Sequence, residues 1–209
     1  MICGNFLSCL ENTQLLEQQA TKGKSKKKRK NKKEKAKPKI VKILSQPVCG
    51  NSEYQNKCIV SFDCRSKPSC NENGKTYTIN QADKRFKVLC YHIDGGVIDS
   101  CDCNKCDYAF FIQHKASGGK GRAIFIELKG GNVRKAVLQL KETLSSNTFN
   151  SVNQLYKKIY GRIVVSSCKP DIRSTDDFLE LEELLMKNGG NLKIKEFDFE
   201  ELYADLDRN

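Results

Sequence analysis

The chain has 209 residues, 38% of them hydrophobic, and a formal net charge of +12, which suits one modest folded domain with a polar tail. No window approaches the roughly 18 consecutive apolar residues of a membrane span, and the opening MICGNFLSCLENTQ lacks a signal peptide's charged-then-apolar order, so a soluble intracellular protein is expected, cytoplasmic or, in a eukaryotic host, nuclear. Eleven cysteines, an odd and irregularly spaced set, argue against a secreted disulfide framework, and two histidines, His92 and His114, leave little scope for a His-rich metal site or a His-based triad.

Residues 1–47 form an N-terminal segment in which 11–19 can make a short helix. Thirteen of the 37 basic residues, but only Glu34 of the 25 acidic ones, lie between Lys22 and Lys42, which leaves 24 of each elsewhere. The folded part is therefore formally neutral. The stretch TKGKSKKKRKNKKEKAKPK cannot bury apolar surface to offset its ordering entropy, so disorder is expected over 22–42. Lys26, Lys27, Lys28, Arg29 and Lys30 suit a nonspecific phosphate-binding arm, because each neutralised phosphate releases condensed counterions. A solubilising or localisation tail is the plainer alternative, and KKKRK also fits a nuclear import signal.

The domain itself is expected over 48–209. Residues 49–82, rich in Asn, Ser, Lys and Cys, predict loops with short strands. RFKVLCYHI (85–93) has strand composition, Asp94-Gly95-Gly96 is turn chemistry, and Val97-Ile98 reads as the start of a return strand. After a cysteine-rich bend at 101–106, DYAFFI (107–112) and AIFIELK (123–129) predict two adjacent strands, nearly continuous in apolar content and so covered on both faces. Between them lies the polar, Gly-rich KASGGKGR. From Asn132, a good N-cap, Val133, Ala136, Val137, Leu140 and Leu144 mark one face of a helix to Leu144. A polar, partly helical stretch leads to the strand RIVVSS (162–167). Ser174 or Thr175 then caps a helix to about Lys187, ended by Gly189-Gly190, and LKIKEFDF (192–199) predicts a last strand.

Chemistry concentrates in the middle of this order. Side chains alternate along a strand, so Glu127 and Lys129 project together while Ile126 and Leu128 face the other way. Charges in so apolar a strand are costly unless they sit at an open edge or hold a metal. Asp107, heading the preceding strand, reaches the same place if the two strands pair antiparallel. Two carboxylates with water and phosphate oxygens make the hard oxygen shell that Mg²⁺ or Mn²⁺ takes, and a lysine beside it can orient a nucleophile.

An acidic residue opening one strand, a hairpin loop, an apolar strand ending in Glu-X-Lys, then a helix and another strand resemble the PD-(D/E)XK (restriction-endonuclease-like) nuclease superfamily, over roughly residues 85–167. The resemblance implies an α/β fold with a mixed central β-sheet flanked by helices. It also implies Asp107, Glu127 and the Leu128 carbonyl as metal ligands and Lys129 as the catalytic lysine, in a Mg²⁺- or Mn²⁺-dependent hydrolase of phosphodiesters, with DNA favoured over RNA and a defence, restriction or repair setting. Gln139 looks like the helix glutamine of the exonuclease-like branch, although Thr143 stands where that pattern has an aromatic. Cys106 replaces the proline before Asp107. The upstream helix glutamate of many members has no clear match, Glu53 and Glu72 being the glutamates in that part of the chain. A catalytically inactive nuclease-fold protein that binds nucleic acid is the alternative.

Other features carry lesser expectations. Cys90, Cys101, Cys103 and Cys106 can supply four thiolates to a structural Zn²⁺, as can Cys49, Cys58, Cys64 and Cys70, but neither set has paired C-x-x-C knuckles. Asp94 suits the hairpin turn or a supporting place near Asp107. Lys115, Lys120 and Arg122 form a basic loop expected near the site and suited to phosphate contacts. No recognition helix stands out, and the sequence leaves open a homodimer or another partner protein.

Overall fold

The computed structural model describes residues 59–63, 66–81, 86–98, 103–114, 121–150, 155–167 and 172–208. The basic tail and the rest of 1–47 lie outside these residues, as do Glu53, Lys115 and Lys120.

Strands β1 (Ile59–Asp63), β4 (Phe86–His92), β5 (Tyr108–His114), β6 (Gly121–Lys129), β7 (Tyr156–Val165) and β8 (Leu192–Glu196) form one mixed sheet in the order β1-β4-β5-β6-β7-β8. β1, β4, β5 and β6 run antiparallel to their neighbours, while β6, β7 and β8 are parallel. Each parallel step needs a crossover. The first carries α1 (Val133–Ser145) and the short α2 (Asn147–Asn150), and the second carries α3 (Asp176–Lys187). Right-handed crossovers that advance in the same direction put both helices on one face of the sheet. There Val133, Ala136, Val137 and Leu140 of α1 and Phe178, Leu181 and Leu185 of α3 join Ala109, Phe111, Ala123 and Phe125 in a single core. Asn132 caps α1 as expected, its side chain accepting from the Lys135 N–H at 3.0 Å.

The opposite face is covered by a second sheet, not by helices as the flanked-sheet expectation had it. β2 (Ser69–Glu72) and β3 (Lys75–Asn80) make a hairpin, and β9 (Asp198–Leu202) pairs with β3 in parallel. Asn73 and Gly74, at φ 48° and 70°, supply the left-handed turn that a two-residue hairpin requires. Tyr77, Ile79 and Phe199 pack from this sheet onto Val88, Phe110, Ile124, Ile126 and Val164. Buried between the sheets, Arg162 of β7 meets Glu201 of β9 through two bonds, Nε to Oε2 at 2.7 Å and Nη2 to Oε1 at 3.0 Å. Tyr77 and Lys193 complete the carboxylate's partners, and Asn191 takes the remaining guanidinium nitrogen.

Three strand expectations are corrected. Val97-Ile98 does not begin a return strand, because their N–H groups bond back to the carbonyls of His92 and Ile93 in a tight turn, and β4 pairs instead with β5. The strand expected at 162–167 starts earlier, at Tyr156, since β7 pairs along the whole of β6. The single strand expected over 192–199 is two strands of different sheets. They meet at Phe197, whose φ of 56° turns the chain while its N–H bonds to the Val165 carbonyl and its carbonyl accepts from Thr76.

Candidate active site

Antiparallel pairing aligns Tyr108 with Ile126, so the start of β5 and the end of β6 share one end of the sheet. There Asp107, Glu127 and Lys129 meet. Asp107, 8% exposed, accepts the Leu128 N–H on Oδ2 at 2.7 Å, one step beyond the last paired residues of the β5–β6 ladder. Glu127 is fully buried on the helix-covered face, and neither of its oxygens has a hydrogen-bond partner. Lys129 Nζ stands 3.6 Å from Glu127 Oε1, with its side chain 28% exposed.

This arrangement is hard on two carboxylates. Burial pushes Asp107 up to about 7; the Leu128 N–H and Lys129 pull the other way, and the charges of Glu72 and Asp94 add to the rise. Burial likewise pushes Glu127 up to about 9, with Asp107 reinforcing it and Lys129 opposing it. Glu72, closing β2, thus bears on both carboxylates from the second sheet. A buried carboxylate without donors is stabilised either by a proton or by a cation, and here Lys129 is too far for a short hydrogen bond. Two acidic oxygens without partners beside a second acid are donors of the hard kind that suits Mg²⁺ or Mn²⁺. Among the described residues no group of three or more His, Cys, Asp or Glu side chains is arranged to hold an ion by itself. Any such site would use Asp107 and Glu127 with a backbone carbonyl and solvent. Leu128 fits that role, because a residue's N–H and C=O in an extended strand face the same neighbour, and its N–H faces Asp107.

The segment leading into Asp107 is held by α1. Asn104 binds Glu142 through its backbone N–H at 3.3 Å and its side-chain amide at 2.9 Å. Gln139 Nε2 donates to the Lys105 carbonyl at 2.9 Å, and the Cys106 N–H donates to Thr143 Oγ1 at 2.8 Å. Gln139 is therefore buried against this bend, at 6% exposure. Nothing in a helical pattern distinguishes such residues from an ordinary flank, although two polar positions spaced i, i+4 beside the apolar stripe are a usable signal. Asp94 sits in the turn after β4 and pairs with Lys105 at 3.1 Å, so it neutralises a buried lysine of the same bend.

The remaining candidates separate from the site. Of the basic residues expected near the site, Lys115 and Lys120 lie outside the described residues, and the expectation is corrected for Arg122. Arg122 lies opposite Ile112, five residues from Glu127, which at about 3.3 Å per residue is roughly 17 Å away. Its guanidinium is also occupied, donating to Asp207 at 3.0 Å and to the Tyr203 carbonyl at 3.2 Å, and lying 4.6 Å from the Tyr203 ring centre. The described members of the first thiolate set are not gathered in one place either. Cys90 is buried in the core facing the small sheet and Cys106 in the core facing the helices, while Cys103 is exposed. Burial raises the Cys106 thiol well above its ordinary range, with Glu127 and Asp107 adding to it, and its Sγ donates to the Tyr108 carbonyl at 3.6 Å. Cys101, Cys49, Cys58 and Cys64 lie outside the described residues. A groove of about 1250 Å³ opens between α3 and strands β8 and β9, lined in part by Arg173, Glu182, Lys193 and Lys195, and includes none of Asp107, Glu127 or Lys129.

No protein-family model matches the chain, and no curated protein or solved structure matches it.

Proposed function

We propose that the chain is a metal-dependent nuclease of the PD-(D/E)XK kind, hydrolysing phosphodiester bonds, with DNA as the favoured substrate. The observation that carries this reading is the meeting of Asp107, Glu127 and Lys129 at one end of the sheet, with Glu127 buried and its oxygens without donors. The order of elements supports it as well. An antiparallel β4-β5-β6 meander is followed by a helix and by β7 parallel to β6, with the acid opening β5 and Glu-Leu-Lys closing β6. That is the order the resemblance requires.

Asp107, Glu127 and the Leu128 carbonyl would hold Mg²⁺ or Mn²⁺, which when bound supplies positive charge that favours an ionised attacking water and offsets charge developing on the phosphate. The protein's own groups do the rest. Lys129, on the exposed side of Glu127, donates from Nζ to the attacking water or a phosphate oxygen and fixes the line of attack. Glu127 and Ile126, both without exposed surface, keep bulk water from behind the site, so the charges act in a weakly screening medium.

The test is a cleavage assay on single- and double-stranded DNA and RNA with Mg²⁺ or Mn²⁺. Cleavage should vanish in chelator and fall by at least about a hundredfold in Lys129→Ala while nucleic-acid binding survives. Binding without cleavage of any form by the wild type would favour the inactive, nucleic-acid-binding alternative.

A further inference from the structure

Resting on the reading of Asp107 as a site carboxylate, we propose that Gln139 and Thr143 of α1 are its positioning residues, acting through one peptide group. The two hydrogen bonds they make to the preceding bend involve the same peptide: Gln139 donates to the C=O of Lys105 at 2.9 Å, and Thr143 accepts the N–H of Cys106 at 2.8 Å. A peptide group is planar, so gripping it at both ends fixes its orientation as well as its place. Asp107 follows within one residue.

The hydroxyl chemistry makes this grip directional. Thr143 Oγ1 donates its own proton to the Gln139 carbonyl one turn earlier, at 2.7 Å, which leaves its lone pairs turned outward for Cys106. Residues 139 and 143 are four apart and so lie on one face of the helix, at a spacing that spans one peptide. Thr143 is 1% exposed and Cys106 0%, so neither group exchanges this bond for water without cost. Glu142 adds a second hold on Asn104 just upstream. At the far side of Asp107 its carboxylate accepts the Leu128 N–H at 2.7 Å. The carboxylate is therefore set between a helix that grips the chain before it and a strand that receives its oxygen.

The Leu128 amide, on another strand from the grip, reports whether the carboxylate keeps its seat. In Thr143→Val, hydrogen exchange at the Leu128 N–H should accelerate at least about tenfold beyond any change at Ile124, which lies mid-strand opposite Phe110. Mn²⁺ binding, followed by calorimetry, should weaken about tenfold, as loss of a supporting contact commonly does. Thr143→Ser keeps the oxygen and should restore both readouts. Gln139→Met, which removes only the hold on Lys105, should reproduce the effect if the valine variant fails to fold. Equal acceleration at Leu128 and Ile124 with unchanged Mn²⁺ affinity would overturn the proposal, since both residues would then serve the fold alone. A wild type that binds no Mn²⁺ and cuts nothing would remove the nuclease reading, while the Leu128 exchange would still decide the role of the grip.

Discussion

Replacing Glu127 with glutamine keeps the side chain's shape and removes its proton chemistry, and the effect on stability can be worked out in advance. The folded carboxyl ionises near 9 because it is buried, with the Asp107 charge adding to the rise, against an ordinary value of 4.5 in an unfolded chain. Between those values the native state holds a proton that the unfolded state has released. Stability from this group is therefore fully present below about pH 4.5 and is lost as pH rises toward 9, by up to about 1.4 kcal/mol per pH unit. Glutamine does not titrate, so whatever its buried amide costs is the same at every pH. Asp107 titrates in both proteins and cancels to first order. Denaturant unfolding in chelator should therefore show Glu127→Gln gaining about 4 kcal/mol relative to the wild type between about pH 5 and pH 8. Half that gain still identifies a buried proton. A difference that stays within about 0.5 kcal/mol across the range would refute the reasoning, since Glu127 would then ionise as an exposed acid does. Saturating Mg²⁺ at the upper pH should raise the stability of the wild type and leave Glu127→Gln nearly unmoved.

Further outcomes separate structural from functional charge. Arg122→Ala should lower stability by about 1–2 kcal/mol through its lost Asp207 and Tyr203 contacts, with nucleic-acid affinity and its salt slope unchanged in a binding titration. Arg162→Met should destabilise by about 3 kcal/mol by leaving the buried Glu201 with Lys193 and Tyr77 alone, as read by chemical denaturation, and Arg162→Met with Glu201→Leu should recover part of that loss. Deleting residues 22–39 should weaken nucleic-acid binding and flatten its salt dependence without changing the Mg²⁺ requirement for cleavage; equal slopes with and without the tail would remove its role as a phosphate-binding arm.

Much of the helix-covered side is legible in residue order. Alternation puts Glu127 and Lys129 on one face, and the apolar spacing from Val133 with Asn132 as cap defines α1 within a residue. The small sheet is harder to see. β9 carries Asp198, Glu200 and Glu201, an unpromising strand until Glu201 meets Arg162, and that partner lies 39 residues away. Asn73-Gly74 is a hairpin signal of the usual kind, hidden by a segment otherwise poor in apolar residues. Gln139 stands out in the sequence through the resemblance alone and Thr143 as a departure from it, and neither shows its partner, because both bind a backbone peptide and backbone has no letter of its own. The misplacement of Arg122 has a different origin. Its distance from the site follows from antiparallel pairing alone, since the register that sets Tyr108 opposite Ile126 sets Ile112 opposite Arg122 at the other end of the ladder.

The small sheet also bears on when the fold can be completed. Its β3–β9 pairing joins residues about 120 positions apart, as between Asn80 and Glu200, so the chain must close a long loop before that sheet forms. β3 is already in contact with β6 on that face, and β9 adds Phe199 to the core around Ile126 and Leu128 and Glu201 as the partner of the buried Arg162. A chain emerging from the ribosome thus carries Arg162 without its carboxylate partner until residues 198–202 have been made.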